Sequence, residues 1–296
     1  MPRMVKEIAL ADPFRDFAWA SHDNLPLHAR IYESPVTAVP TVLCLHGLMR
    51  NCRDFEELAP HLQKNYRVIV PDLRGRGLSA RDPTMQNYQP GIYLKDLLAL
   101  LAAIGAARVA VVGTSLGGIL AMMLGHAAPS LIAGIVLNDI GPEIDASGAE
   151  RIKGYAGRTP PVRDWDEARL QAQTVYGDAW PDLSSERWAI LTRRGYREDG
   201  SGRPRVDADP MIGEAMRTAP GAPLDLWPAW KALRDLPTLA IRGAHSDILS
   251  AGIFARMKAE MPKLKQLSVR NRGHPPLLDE PECVTVIDGF LSTLHP

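Results

Sequence analysis

From residue 41 onward the chain alternates short apolar runs with longer helical stretches, and this alternation leaves few folds open to it. Runs at 41–45, 67–70, 108–112, 132–137, 238–242 and 265–269 are strand-sized and largely apolar, as strands buried on both faces are. Helical patterns lie between or after them at 53–64, 92–104, 116–126, 251–260 and 282–293. Strands and helices in this order imply a mostly parallel sheet with right-handed crossovers and helices on both faces. Two earlier runs, 14–20 and 27–32, alternate polar and apolar residues and read as antiparallel strands with one wet face. In an α/β fold of this kind, binding groups collect at the carboxyl ends of the strands.

The rhythm breaks between 143 and 232. That stretch holds Trp165, Trp180, Trp188, Trp227 and Trp230, many Pro and Gly breakers, and no strand pattern. It divides the chain into a core at 1–142, a mostly helical insertion at 143–232, and the rest of the core at 233–296. The residues Gly200-Ser201-Gly202-Arg203-Pro204 read as a loop inside the insertion. The tryptophans, with Tyr155, Tyr176 and Tyr196, suit an apolar pocket roof with polar tips, although core packing accounts for most of them.

Bulk properties exclude several classes of function. Lys plus Arg equals Asp plus Glu at 34 each, so no net field attracts nucleic acid or an anionic membrane. Cys44, Cys52 and Cys283 are too few and too scattered for a disulfide framework or a zinc site. The N-terminal stretch 1–17 is too acidic for a secretory leader. No window approaches the roughly 18 apolar residues of a membrane span. The expectation is a cytoplasmic protein acting on a small molecule, with neither cofactor nor metal.

Five residues carry the strongest chemical signal: Gly113-Thr114-Ser115-Leu116-Gly117. A strand must reverse into a helix around Ser115, and so tight an apex forces a strained backbone. Glycines two residues to either side remove the Cβ atoms that would collide with it. The hydroxyl is then presented at the sheet edge, at a helix N-terminus where free N–H groups favour negative charge. The plainer reading, a helix cap in a Gly-rich turn, leaves the rest of the pattern without a purpose.

A serine nucleophile needs a base, and the base needs an orienting acid. His274, in Gly273-His274-Pro275-Pro276, follows the last strand run and is the candidate base. Two aspartates also follow strand runs. Asp247 is the first choice, because it closes the strand expected beside the one leading to His274. Asp139 is the second, or else a structural or substrate-binding group at the pocket mouth. The Leu48 and Leu116 amides are the candidate oxyanion donors. His46 is read as holding its loop, and Asp72 as fixing the loop after it by hydrogen bonds and a nearby arginine. Arg50 either binds a substrate carboxylate or is an exposed loop residue, the latter being the simpler reading.

Together these residues resemble the α/β-hydrolase superfamily: His46-Gly47, Asp72-Leu73-Arg74-Gly75-Arg76-Gly77-Leu78-Ser79, the elbow at 113–117, Asp247, and Gly273-His274-Pro275. The resemblance implies an eight-stranded sheet with a helical cap after the sixth strand, and a Ser115, Asp247, His274 triad. Dehalogenase and epoxide hydrolase branches use an aspartate nucleophile, and position 115 is serine. The remaining branches cleave carboxylic esters or lactones, or use a similar triad on carbon–carbon bonds or in lyases; a small-molecule receptor on the same fold is the rival of another class. Gly75-Arg76-Gly77-Leu78-Ser79-Ala80 formally matches a dinucleotide fingerprint, but Pro83 and Pro90 prevent the helix such a site needs. Met122 and Met123 read as core filling.

Overall fold

A computed structural model of the chain describes residues 13–219 and 225–294. The stretch read against a secretory leader lies mostly outside them. Eight strands form one sheet: β1 (Arg15–Ala20), β2 (Pro26–Tyr32), β3 (Thr41–Leu45), β4 (Arg67–Asp72), β5 (Val109–Thr114), β6 (Ile132–Asn138), β9 (Thr238–Gly243) and β10 (Lys265–Val269). Their order is β1-β2-β4-β3-β5-β6-β9-β10. β1 and β2 are antiparallel to their neighbours, and every pairing from β4 to β10 is parallel. The antiparallel and parallel strands fall where their patterns place them, but their burial departs at two points. β2, between β1 and β4, is buried at most positions and has no wet face, and β10, at the sheet edge, is largely accessible. β5, in the middle, is buried at all six positions.

The helices that cover the sheet are α1 (Leu58–Leu62), α2 (Pro90–Ala103), α3 (Leu116–Ala127), α9 (Ala251–Glu260) and α10 (Pro281–Leu291). One apolar cluster joins Leu43, Val111, Leu120, Leu124, Ile135 and Leu137 on the α2 and α3 side. The opposite cluster joins Val42, Val70, Val112, Val136, Ile241, Ile287 and Phe290. Each such side chain taken fully from water contributes about 1.5–3 kcal/mol, which fixes the register that aligns the strand ends. Met122 is fully buried and Met123 packs against the same cluster, so both fill core. The single helix expected over 53–64 is instead a 3-10 turn (Cys52–Phe55) followed by α1. Asn51 caps that turn by accepting from the Arg53 N–H at 3.0 Å.

Between β6 and β9 run α4 (Ala146–Tyr155), α5 (Trp165–Tyr176), α6 (Ser185–Gly195), β7 (Tyr196–Glu198), β8 (Pro204–Val206), α7 (Met211–Thr218) and α8 (Trp227–Ala232). Its own small core contains Ala168, Trp180, Trp188, Leu191 and Tyr196. The Gly200 loop is the turn of an antiparallel hairpin, β7 with β8, that the sequence reading did not foresee. No described helix is long and apolar enough to cross a membrane.

Candidate active site

The sheet delivers its chemistry along one edge. β5 runs to Thr114 and α3 starts at Leu116, so the reversal falls on Ser115 alone, with φ 53° and ψ −116°. A non-glycine residue held there is strained. Hydrogen bonding offsets that strain: the Ser115 N–H donates to the Asn138 carbonyl at 3.0 Å, and its own carbonyl accepts from Gly118 at 2.9 Å. A Cβ at 113 would run into the Gly117 carbonyl, and one at 117 into the Leu45 carbonyl of β3. The glycines therefore let α3 sit directly on the strand ends.

His274 lies within hydrogen-bond reach of the candidate nucleophile, with Nε2 2.9 Å from Ser115 Oγ. Its Nδ1 lies 2.8 Å from Asp139 Oδ2. This corrects the choice of acid: the carboxylate against His274 belongs to Asp139, not Asp247. Asp139 leaves β6 at φ 56° and is fully buried, which also removes it from any role at the pocket mouth. Its carboxylate accepts from the Gly243 N–H at 2.7 Å and the Ser246 hydroxyl at 2.6 Å as well as facing His274. Asp247 instead receives the Arg151 guanidinium of α4, Nε at 2.5 Å and Nη2 at 2.9 Å. Partial burial alone would raise its pKa, but Arg151 holds the carboxyl below the usual range.

The physical reason lies at the end of β9. A Cβ at Gly243 would strike the Gly273 and Arg272 carbonyls, so the histidine loop rests directly on that residue. Asp139, one strand further in, reaches under it. The loop is also tied from two sides. Asn138 donates to the Pro276 carbonyl at 2.9 Å, and Trp180 Nε1 donates to that of Pro275 at 2.7 Å. Gly243, Ser246 and Asn138 were missed by the sequence reading. The only sequence signal for them was glycine at 243 and 273, small residues at a point where two loops meet.

The turn after β3 lies over the elbow. A Cβ at Gly47 would stand 3.7 Å from that of Ser115, and the Arg50 N–H closes the turn on the Gly47 carbonyl at 3.2 Å. His46 holds this turn as expected. Its Nε2 accepts from the Leu73 N–H at 3.1 Å, so Nδ1 carries the proton and donates to the Gly47 carbonyl at 2.8 Å. Burial pushes its pKa down to about 4, which keeps the ring neutral. Arg76 braces the same turn by donating to the Leu48 carbonyl at 2.9 Å. The glycine-rich residues after β4 thus form a supporting loop.

Asp72 fixes that loop, but its charged partner is His28 at 2.8 Å rather than an arginine. Arg74 turns to Asp23, Asp82 and Asp96. Burial alone would lower the His28 pKa, yet Asp72 and Asp16 hold it above its ordinary value. His28, Cys52 and Asp72 lie close enough to share a cation, as do His22, Asp23 and Asp96. Both ring nitrogens of His28 already face carboxylates, and burial pushes the Cys52 thiol up, so the first group is a hydrogen-bonded brace.

A cleft of about 60 Å³ opens on Ser115 and His274. Its core wall includes Leu48, Arg50 and Asp54, and its other wall includes Ile152, Tyr155, Tyr176, Trp180, Leu191 and Arg194. Of the five tryptophans read as a roof, only Trp180 lines this cleft. Tyr176 stacks on it at 5.0 Å and Trp188 packs against it at 5.6 Å. Trp227 and Trp230 belong to the main core. Arg50 is not an exposed loop residue, since its side chain is only 15% accessible and lines the cleft.

The model of the alpha/beta hydrolase family matches residues 42–285. The chain belongs to that family. It is 30% identical over 264 residues to a 3-hydroxybutyrate-oligomer hydrolase of Cupriavidus necator, spanning 86% of this chain and 89% of that protein. It is 26% identical over 236 residues to a 2-(acetamidomethylene)succinate hydrolase of Mesorhizobium japonicum, spanning 79% and 81%. The structure is similar to the crystal structure of an alpha/beta hydrolase from Novosphingobium aromaticivorans, with TM-score 0.90 and 42% identity over 96% of this chain and 99% of that one.

Proposed function

We infer that the protein is a serine hydrolase that cleaves a small carboxylic ester or lactone through an acyl-enzyme on Ser115. The observation that carries this reading is the continuous hydrogen-bonded row from Ser115 Oγ through His274 to Asp139, at 2.9 and 2.8 Å. Ser115 Oγ attacks the substrate carbonyl while His274 Nε2 takes its proton. Asp139 orients the imidazole and stabilises its charged form. The tetrahedral oxyanion is received by the Leu116 amide, at the start of α3 where helical N–H groups have no intrahelical acceptor, and by the Leu48 amide of the braced turn. His274 returns the proton to the leaving oxygen, and the acyl group stays on Ser115. Water, deprotonated by His274, then releases the acid.

The segment between β6 and β9 acts as a cap: its Tyr155, Tyr176 and Trp180 close one wall of the cleft and limit both water and acyl size. The relative that hydrolyses 3-hydroxybutyrate oligomers favours an ester as the bond cleaved.

The test is p-nitrophenol release from short acyl esters by the wild type and Ser115→Ala, with mass spectrometry of the quenched enzyme. Expected are Ser115-dependent turnover and an acyl adduct on the Ser115 peptide. Release that persists undiminished in Ser115→Ala, or tight ligand binding without any turnover, would overturn the reading in favour of another nucleophile or a receptor.

A further inference from the structure

We propose that Trp180 positions His274 while forming the wall that meets the acyl group, so that acyl size is read in kcat and not in KM alone. The proposal deepens the hydrolase reading and rests on it for the role of His274.

The loop that carries His274 lies between two layers. On the core side, a Cβ at Gly243 would strike the Gly273 and Arg272 carbonyls, and the His245 N–H donates to the Arg272 carbonyl at 2.8 Å. On the other side lie residues 178–182, between α5 and α6. The Gly273 N–H donates to the Ala179 carbonyl at 2.8 Å, and Trp180 Nε1 donates to the Pro275 carbonyl at 2.7 Å. Arg272 Nη1 donates to Asp182 at 2.6 Å. A Cβ at Gly273 would stand 2.8 Å from Ala179 Cα, so this contact too is backbone against backbone.

The residues immediately before and after His274 are thus both held by a segment 95 residues away in the chain. The ring itself faces Ser115 and Asp139 at 2.9 and 2.8 Å. Its placement therefore depends on a backbone gripped by the core on one side and by residues 178–182 on the other.

Trp180 joins that grip to the cleft. It is buried, yet it lines the cleft with Ser115 and His274. Tyr176 stacks on its ring with the planes 18° apart, and Trp188 packs against it as well. Leu277, from the histidine loop, packs against the same small core. An indole wedged in this way cannot yield to a large acyl group without withdrawing its N–H from Pro275. That withdrawal removes a hydrogen bond from the loop, and a misplaced base costs rate. A tryptophan that served only as a wall would reject large groups through weaker binding, so the split between kcat and KM decides.

The experiment measures both constants for p-nitrophenyl acetate in the wild type and in Trp180→Phe, which keeps an aromatic wall and removes the N–H. Expected is a kcat lower by about tenfold, the scale of one lost hydrogen bond, with KM within about twofold. An unchanged kcat, or a change confined to KM, would overturn the proposal. The wild type supplies a second reading that no folding defect can blur. From p-nitrophenyl acetate to the decanoate, kcat should fall once the acyl group outgrows the cleft, and a loss carried by KM alone would count against the coupling.

A third measurement needs no turnover. The proton between His274 Nδ1 and Asp139 is followed by proton NMR in Ser115→Ala and in the same protein carrying Trp180→Phe. Its signal should shift or broaden in the second. A signal that moves, without Ser115-dependent turnover in the wild type, would sink the hydrolase reading and keep the positioning role. Ser115-dependent turnover with signal and kcat both unmoved by Trp180→Phe would do the reverse.

Discussion

Asp139 and Asp247 follow the ends of neighbouring strands, β6 and β9, yet the fold treats them in opposite ways. Asp139 is fully buried, turns at positive φ, and accepts from a backbone amide and a hydroxyl besides facing the His274 ring. Asp247 keeps about a third of its side chain in solvent and pairs with Arg151, itself similarly exposed. A buried carboxylate with this many partners is held in one place, because each lost partner would leave desolvated charge behind. A partly exposed ion pair contributes little by comparison. The contrast separates a group that can orient a catalytic imidazole from one that anchors α4 to the core, and it turns on the bare backbone at Gly243.

The sharpest way to break this comparison is Asp139→Asn. It should lower kcat by about 10⁴-fold, by presenting the wrong partner to the imidazole, while circular dichroism stays native. A larger loss in Asp247→Asn would reverse the assignment. Gly243→Ala comes next, since its methyl group pushes the His274 loop outward. Displacement on the ångström scale costs about 10²-fold in kcat, and overpacking about 1–3 kcal/mol of stability, both read from one preparation by kinetics and denaturant unfolding.

Ser246→Ala removes one of the donors to Asp139. It should reduce kcat by about tenfold and leave KM in place, whereas a purely structural loosening of the site would raise KM as well. Asp247→Asn should change kcat by less than about threefold and stability by about 0.2–1 kcal/mol. The sign of its pH dependence follows from the lowered pKa of Asp247. The stabilisation is fully present above the unfolded value of 3.8 and is lost as pH falls through the lower folded value. The difference in melting temperature between wild type and Asp247→Asn should accordingly shrink below about pH 3.8. A difference that grows there would remove the ion pair from the account.

The local features were legible in the residues themselves. The strand at 41–45 could be read from its sequence, because a continuous apolar run bounded by breakers is a short-range signal. The β7–β8 hairpin escaped because three-residue strands such as Tyr196–Glu198 are too short to show a period. The placement of Arg50 escaped for another reason: only the arrival of α6, ending at Gly195, encloses it.

By itself the sequence determined the alternation of elements, the elbow at Ser115 and the loop that carries His274, since each depends on residues within a few positions of one another. Only the tertiary structure decided which carboxylate faces the histidine, which tryptophan reaches the cleft, and how Arg50 is enclosed in its wall. Those outcomes depend on how strands far apart in the chain lie side by side, and on where a missing Cβ lets one backbone rest against another.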